Sequence, residues 1–131
     1  MRIMVDTNVL LSPLIFGSSK MALLLEKVVE EHTMVLCSHI IDEFRDVVTR
    51  KSPKCNNAVD TLFSKLSYEL VYTPKWQENM PDIRDEKDKP ILVSAILADV
   101  DIIITGDSGF SDVEIERPEI LSPAEFLAKY Q

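Results

Sequence analysis

Cysteine is scarce. The 131-residue chain holds two, Cys37 and Cys55, and their spacing suits neither a metal site nor a redox pair. Cys37 lies in an apolar run, MVLC, where a core residue belongs. That usage argues against a disulfide-stapled scaffold and for free thiols inside a cell. Long hydrophobic runs are missing too: none reaches the length of a membrane span. The N-terminus carries one arginine and then only a few apolar residues, too short for a signal peptide. A cytoplasmic protein with no membrane partner is expected. No repeat, low-complexity stretch or linker divides the chain, so one domain over 1–131 is expected. Positive charge is short as well. Lys and Arg number 14 against 22 Asp and Glu, a net charge of −8, which argues against a nucleic-acid binder with an ordinary basic face. The basic residues Arg45, Arg50, Lys51 and Lys54 do fall close together, as either a solvated helix face or a phosphate-binding patch. The two histidines, His32 and His39, have no matching partner in the sequence, and surface or core positions are expected for them.

What is present is ordinary globular material, 46% hydrophobic and 27% charged. A chain of this size buries roughly two thirds of its unfolded surface. Ile3-Met4-Val5 reads as a short buried strand that ends in Asp6-Thr7-Asn8. Met21, Leu24, Leu25, Val28 and Val29 follow helical spacing, with Ser18 or Ser19 as N-cap and an end near His32. Met34 to Cys37 is an apolar strand. Ser38 caps the next helix, whose stripe is Ile40, Ile41, Phe44, Val47 and Val48 and which stops before Pro53. Asn56 or Asn57 opens a helix with Val59, Leu62, Phe63 and Leu66 on one face. Tyr68 to Tyr72 alternates like a strand, and the polar stretch from Thr73 to Asp88 reads as a loop long enough to be functional. Pro90 suits the first turn of a helix over Ile91, Leu92, Ala95, Ile96 and Ala98. Ile102 to Thr105 is a strand broken by Gly106, and Glu119 to Leu121 another. Ser122-Pro123-Ala124-Glu125 spells a capping box with proline at the first helical position. Short apolar strands alternating with helices predict an α/β protein, a three-layer α/β/α sandwich with a mostly parallel central sheet.

Right-handed crossovers bring strand ends of one kind to one edge, and acids collect there. Asp6 ends the first strand, and Asp107 follows the IIIT strand. Glu43 lies in the opening turns of the helix after the second strand, beside its buried stripe. Asp88 starts the helix leading into IIIT, with Asp85 three residues before it. Each has a plain alternative: Asp6 as a cap or turn residue, Glu43 as a complement to the helix dipole, Asp88 as an N-cap before Pro90, Asp107 as a turn residue. Together they carry more. Four carboxylates from four segments at one edge, with no Lys or Arg directly after the two strand-end acids, repel one another by several kcal/mol. A hard divalent cation, Mg²⁺ or Mn²⁺, relieves that repulsion and also stops the acids acting as bare negative charge toward a polyanion.

On these residues the sequence resembles the PIN domain family of metal-dependent ribonucleases. The strand ending in Asp6-Thr7-Asn8 resembles its opening motif. SHIIDEFRDVV, Ser38 to Val48, resembles the second, with Glu43; RDEKDKPIL, Arg84 to Leu92, the third, with Asp88 and nearby Asp85; Thr105-Gly106-Asp107 the fourth. The ending Ile120 to Leu127 is similar to that of a bacterial and archaeal branch of toxin components in toxin–antitoxin systems (VapC-like ribonucleases). The resemblance implies Asp6, Glu43, Asp88 and Asp107 as catalytic metal ligands, with Asn8 and Thr105 positioning them. It implies Mg²⁺- or Mn²⁺-dependent hydrolysis of single-stranded RNA to 5′-phosphate and 3′-hydroxyl ends, control by a protein antitoxin, and a homodimer. One departure stands out. Many members carry another acid two or three residues after the fourth motif's Asp, where this chain has Gly109 and Phe110. One well-held ion is therefore expected, a second only with substrate, and Asp112 is read as a turn residue.

Three rival readings fit these residues less well. A response-regulator receiver needs an acidic pair after the first strand and a late lysine, both missing. A haloacid-dehalogenase-type phosphatase needs aspartates spaced by one, and Asn8 occupies the second place. A catalytically weak module that binds RNA or protein has no need of the complete acid set.

Overall fold

The computed structural model describes residues 1–74, 88–110 and 113–130. Its five strands are β1 (Arg2–Val5), β2 (Thr33–Cys37), β3 (Glu69–Val71), β4 (Ile102–Ile104) and β5 (Glu119–Leu121). The helices are α1 (Thr7–Phe16), α2 (Ser19–Glu31), α3 (Ser38–Lys51), α4 (Asn56–Lys65), α5 (Lys89–Leu97) and α6 (Pro123–Lys129). All strand pairs are parallel, in the order β3-β2-β1-β4-β5. Ile3 to Val5, Met34 to Cys37 and Ile102 to Ile104 are buried without alternation. That pattern requires helices on both faces of the sheet, which makes the α/β/α sandwich that the apolar strands predict.

The strand order places the site. From β1 the chain steps outward to β2 and β3, then returns to the other side of β1 for β4 and β5. The direction reverses between β1 and β4, and the crevice beyond their carboxyl ends is where open α/β sheets bind ligands. Val5 pairs with Ile104, and the Asp6 amide donates to the Ile104 carbonyl at 2.9 Å. Asp6 and Thr105 thus leave the sheet side by side.

One helix is absent from the sequence reading. Asp6 opens α1, its carboxylate accepting from the Thr7 amide at 2.7 Å, and Gly17, at φ 64°, closes it in the left-handed region that glycine tolerates. TNVLLSPLIF is apolar nearly all round and holds Pro13, so it has neither a 3.6-residue stripe nor an uninterrupted helical pattern to detect. Ser38 needs a correction as well. The cap position of α3 is Cys37, without a side-chain cap bond. Ser38 is already helical, and its hydroxyl accepts from the Thr73 amide at 2.9 Å. Elsewhere the start signals hold: Ser18 caps α2, and Ser122 and Glu125 form the reciprocal capping box of α6.

At the opposite end of the sheet, Asp101 accepts from the Arg2 amide at 2.8 Å and from the Arg117 guanidinium at 2.8 Å. The Arg2 bond first, then Arg117, holds the Asp101 carboxyl below the usual range. A lowered folded-state value means its stabilisation is present above about pH 4 and lost as pH falls through that value. Asp101→Asn should therefore lower thermal stability at neutral pH, with the gap to wild type closing in acid. Melting curves at neutral pH and below pH 3 check this.

Candidate active site

Asp6 is the centre. It is 3% exposed, and both its oxygens are held. One accepts from the Thr7 amide, the other from the Thr105 hydroxyl at 2.6 Å. The cap reading holds for this residue, which starts α1, and it also lies within reach of the charges of Glu43 and Asp107. Burial pushes its carboxyl above the ordinary range. The bonds from Thr105 and Thr7 partly offset that, and the charges of Glu43 and Asp107 push it further up.

Asp107 sits just past β4, where Thr105 and its neighbours turn. Its carboxylate accepts from the Gly109 amide at 2.7 Å, and its own amide donates to the Thr105 hydroxyl at 3.0 Å. The Gly109 bond, followed by a hydrogen bond shared with Asp88, holds Asp107 below the ordinary range. Asp88 is buried and stands at the N-cap position of α5, but makes no side-chain cap bond there. Its carboxyl is engaged with Asp107, so the plain cap reading fails for Asp88.

Glu43 lies one turn into α3, half exposed, with its carboxylate 3.8 Å from His39 Nε2. This is the partner for His39 that the sequence did not reveal; the i,i+4 spacing on α3 was the available signal. Among the described residues no three acidic, histidine or cysteine side chains gather tightly enough to enclose an ion unaided. Asp6 feels Glu43 and Asp107 through charge, and Asp107 meets Asp88 through a shared hydrogen bond.

Thr105 sits where a positioning residue should, between Asp6 and the Asp107 amide. Asn8 is exposed in the first turn of α1, and its side chain makes no hydrogen bond to the carboxylates among the described residues. Thr7, without a role in the sequence reading, is buried and gives its amide to Asp6. Asp85 and Asp112 lie outside the described residues. The basic group is not brought to the acids as a set. Arg45 pairs with Asp60 at 2.7 Å and Arg50 with Asp46 at 3.2 Å. Arg50, Lys51 and Lys54 lie at or beyond the last turn of α3, about 10–20 Å along its axis from Glu43. The other described arginines, Arg2 and Arg117, pair with Glu69 and with Asp99 and Asp101.

A cleft of about 690 Å³ opens beside Thr105 and Asp107 and runs past Phe110, Ile115 and Glu116 to Ser122. A second, apolar groove of about 470 Å³ lies between α1, α2 and α4, floored by Leu10, Leu14, Leu25, Val29 and Leu62, with Glu26 and Glu30 also lining it.

The profile of the PIN domain matches residues 2–109. Among solved structures, the chain is similar to VapBC2 from Rickettsia felis, whose crystal structure is bound to a DNA fragment from its promoter. The TM-score is 0.69 at 18% identity, over 93% of this chain and 98% of that one. It is also similar to VapC20 of Mycobacterium tuberculosis, a toxin that cleaves the sarcin–ricin loop. There the TM-score is 0.60 at 10% identity, over 83% of this chain and 92% of that one. No curated protein sequence matches significantly. No helix among the described residues is long and apolar enough to cross a membrane.

Proposed function

Because the chain belongs to the PIN domain family, we propose that it is a divalent-metal-dependent endoribonuclease that hydrolyses single-stranded RNA and is held in check by a protein antitoxin. The single observation that supports this most is Asp6: a buried carboxylate at the switch point of the sheet, pushed toward its neutral form by burial and by two neighbouring acids. Such a group has an unmet need for positive charge, and the described arginines are all paired elsewhere.

Asp6, Glu43, Asp88 and Asp107 offer oxygen donors alone, the chemistry that Mg²⁺ and Mn²⁺ prefer. The lack of a tight cage among the described residues is compatible with that choice. Mg²⁺ keeps several waters and is commonly held by one or two carboxylates together with substrate phosphate. When bound, the cation supplies polarisation of water and phosphodiester and neutralises charge on the leaving oxygen. The chain's own residues do the rest. Thr105 and the Thr7 amide keep both Asp6 oxygens in one orientation. The Gly109 amide does the same for Asp107. Asn8 offers an exposed amide next to Asp6, open to substrate or water. The cleft from Asp107 toward Ser122 has room for a nucleotide beside the acids.

The R. felis relative is VapBC2 bound to promoter DNA, and the groove between α1, α2 and α4 offers this chain a candidate surface for a protein antitoxin. It is apolar within and acidic at Glu26 and Glu30, suited to an amphipathic helix with basic flanks. A homodimer is proposed on the resemblance alone.

Thr105→Val keeps the shape of the side chain and removes the hydroxyl that orients Asp6. It should reduce metal-dependent cleavage by about 10–100-fold, the usual cost of losing a group that orients a ligand, and metal titration with single-turnover assays checks it. The proposal itself is tested with single-stranded RNA in Mn²⁺ or Mg²⁺. Cleavage that a chelator stops, leaving 5′-phosphate ends, supports it. RNA that stays whole while Mn²⁺ binds favours a non-catalytic binding module.

A further inference from the structure

Each helix leaves amide donors unmatched in its first turn, and α3 has no cap from its own sequence. The missing acceptor comes from far along the chain. Thr73, two residues past the end of β3, accepts from the His39 amide through its hydroxyl oxygen at 3.1 Å. Its own amide donates to the Ser38 hydroxyl at 2.9 Å. The same Thr73 oxygen also accepts from the Ser94 hydroxyl at 3.0 Å. Ser94, 2% exposed in the middle of α5, shares its proton with the Pro90 carbonyl at 2.8 Å.

These bonds join three segments that are separate in sequence. The first turn of α3 leads to Glu43, one turn on from His39. The stretch after β3 holds Thr73. The helix α5 begins directly after Asp88. Across the crevice, the Thr105 hydroxyl makes the matching join between Asp6 and the Asp107 amide. Each half of the site is therefore stitched by one threonine hydroxyl.

We propose that Thr73 is a positioning residue that clamps α3 to α5 and sets the spacing of the Glu43 and Asp88 carboxyls. The inference rests on the divalent-cation reading of the site for its functional consequence, though not for the clamp itself. A hydroxyl that only capped α3 would need no bond to α5. Thr73 makes both, and the acceptor for α5 is the very oxygen that receives the α3 amide. A shift of either helix would break a bond to the other.

The test compares Thr73→Val, Thr73→Ser and Ser94→Ala with wild type by calorimetric Mn²⁺ titration, each at a temperature where it is folded. Valine keeps the shape and the backbone amide and deletes the shared oxygen; serine keeps the oxygen. The expected result is Mn²⁺ affinity about tenfold weaker in Thr73→Val, restored in Thr73→Ser and weakened less in Ser94→Ala. Thr73→Val that melts lower yet binds Mn²⁺ like wild type would mark a simple helix cap and overturn the inference. If Thr73→Val does not fold, Ser94→Ala decides: weaker binding supports the clamp and unchanged binding overturns it. Amide hydrogen exchange separates this from the metal reading. Should wild type bind no Mn²⁺, that reading fails by itself. The clamp then stands if Thr73→Val, or Ser94→Ala in its place, loses protection in both α3 and α5, and falls if the loss stays within the first turn of α3.

Discussion

Asp6→Asn is expected to lower RNA cleavage by a thousandfold or more while leaving the fold intact, and to raise the melting temperature of the protein when no divalent cation is present. The first effect follows from what the carboxylate would hold. A cation at a phosphoryl centre supplies several kcal/mol of charge stabilisation, and every 1.36 kcal/mol is tenfold in rate, so its loss is on the order of a thousandfold. Fold retention follows from the bonding. Asparagine keeps an oxygen for the Thr7 amide, and its amide group can donate to the Thr105 hydroxyl that now donates to Asp6. The stability effect has a sign that can be worked out. The Asp6 carboxyl is held above its ordinary range, chiefly by burial. The folded chain therefore binds this proton more tightly than the unfolded chain. Its stabilising effect is full below about pH 4 and is lost as pH rises through the folded value. At neutral pH wild type bears the cost of a buried charge, and asparagine does not. Added Mn²⁺ should reverse the order, because only wild type gains by binding. Scanning calorimetry at neutral pH, with chelator and then with Mn²⁺, reads both halves. A variant less stable than wild type in chelator would show that Asp6 is structural first.

Phe44→Ala should cost about 3–5 kcal/mol, a large share of the roughly 5–15 kcal/mol of an ordinary domain. Phe44 is fully buried, next to Glu43 in α3. Its ring meets Phe63 of α4 edge-on at 5.1 Å, and Phe63 meets Tyr68 at 6.0 Å. Truncation leaves a cavity where α3, α4 and the sheet converge, and neighbouring rings cannot refill it without leaving their own contacts. The melting temperature should fall on the order of 10–20 °C, with a lower midpoint in urea. Cleavage should weaken in the variant even where it is folded, since the turn bearing Glu43 loses its anchor. Phe44→Leu, closer in volume, should cost markedly less.

The parts legible from the sequence were those with local, periodic causes. IIIT and MVLC read as buried strands because a parallel sheet covered on both faces needs uninterrupted apolar runs, and the structure makes them β4 and β2. Ser122 to Glu125 read as a helix start because its capping bonds close within four residues. Parts with long-range causes were not legible. The helix α1 escaped because it is apolar nearly all round, so no polar face sets off the stripe that periodicity detects. Ser38 read as a cap, yet its hydroxyl bonds to Thr73, 35 positions away, and no local pattern encodes that. Asp88 looked like the plainest N-cap of the four acids, and its carboxyl turns instead to Asp107. For the candidate site, the sequence showed where Asp6 and Asp107 leave β1 and β4, but not the Thr105 hydroxyl that joins Asp6 to the Asp107 amide. The basic residues Arg45, Arg50, Lys51 and Lys54 stayed open between a solvated face and a phosphate-binding patch, because sequence proximity says nothing about which acids on α3 and α4 each side chain will meet.

The central claim is that the Asp6 cluster is a divalent-cation site, and a Mn²⁺ soak of crystals measured at an anomalous wavelength tests it most directly. The expected result is an anomalous peak among Asp6, Glu43, Asp88 and Asp107 that is absent from Asp6→Asn crystals treated alike. Wild-type crystals with the four side chains ordered and no peak among them, or an equal peak in Asp6→Asn, would contradict it.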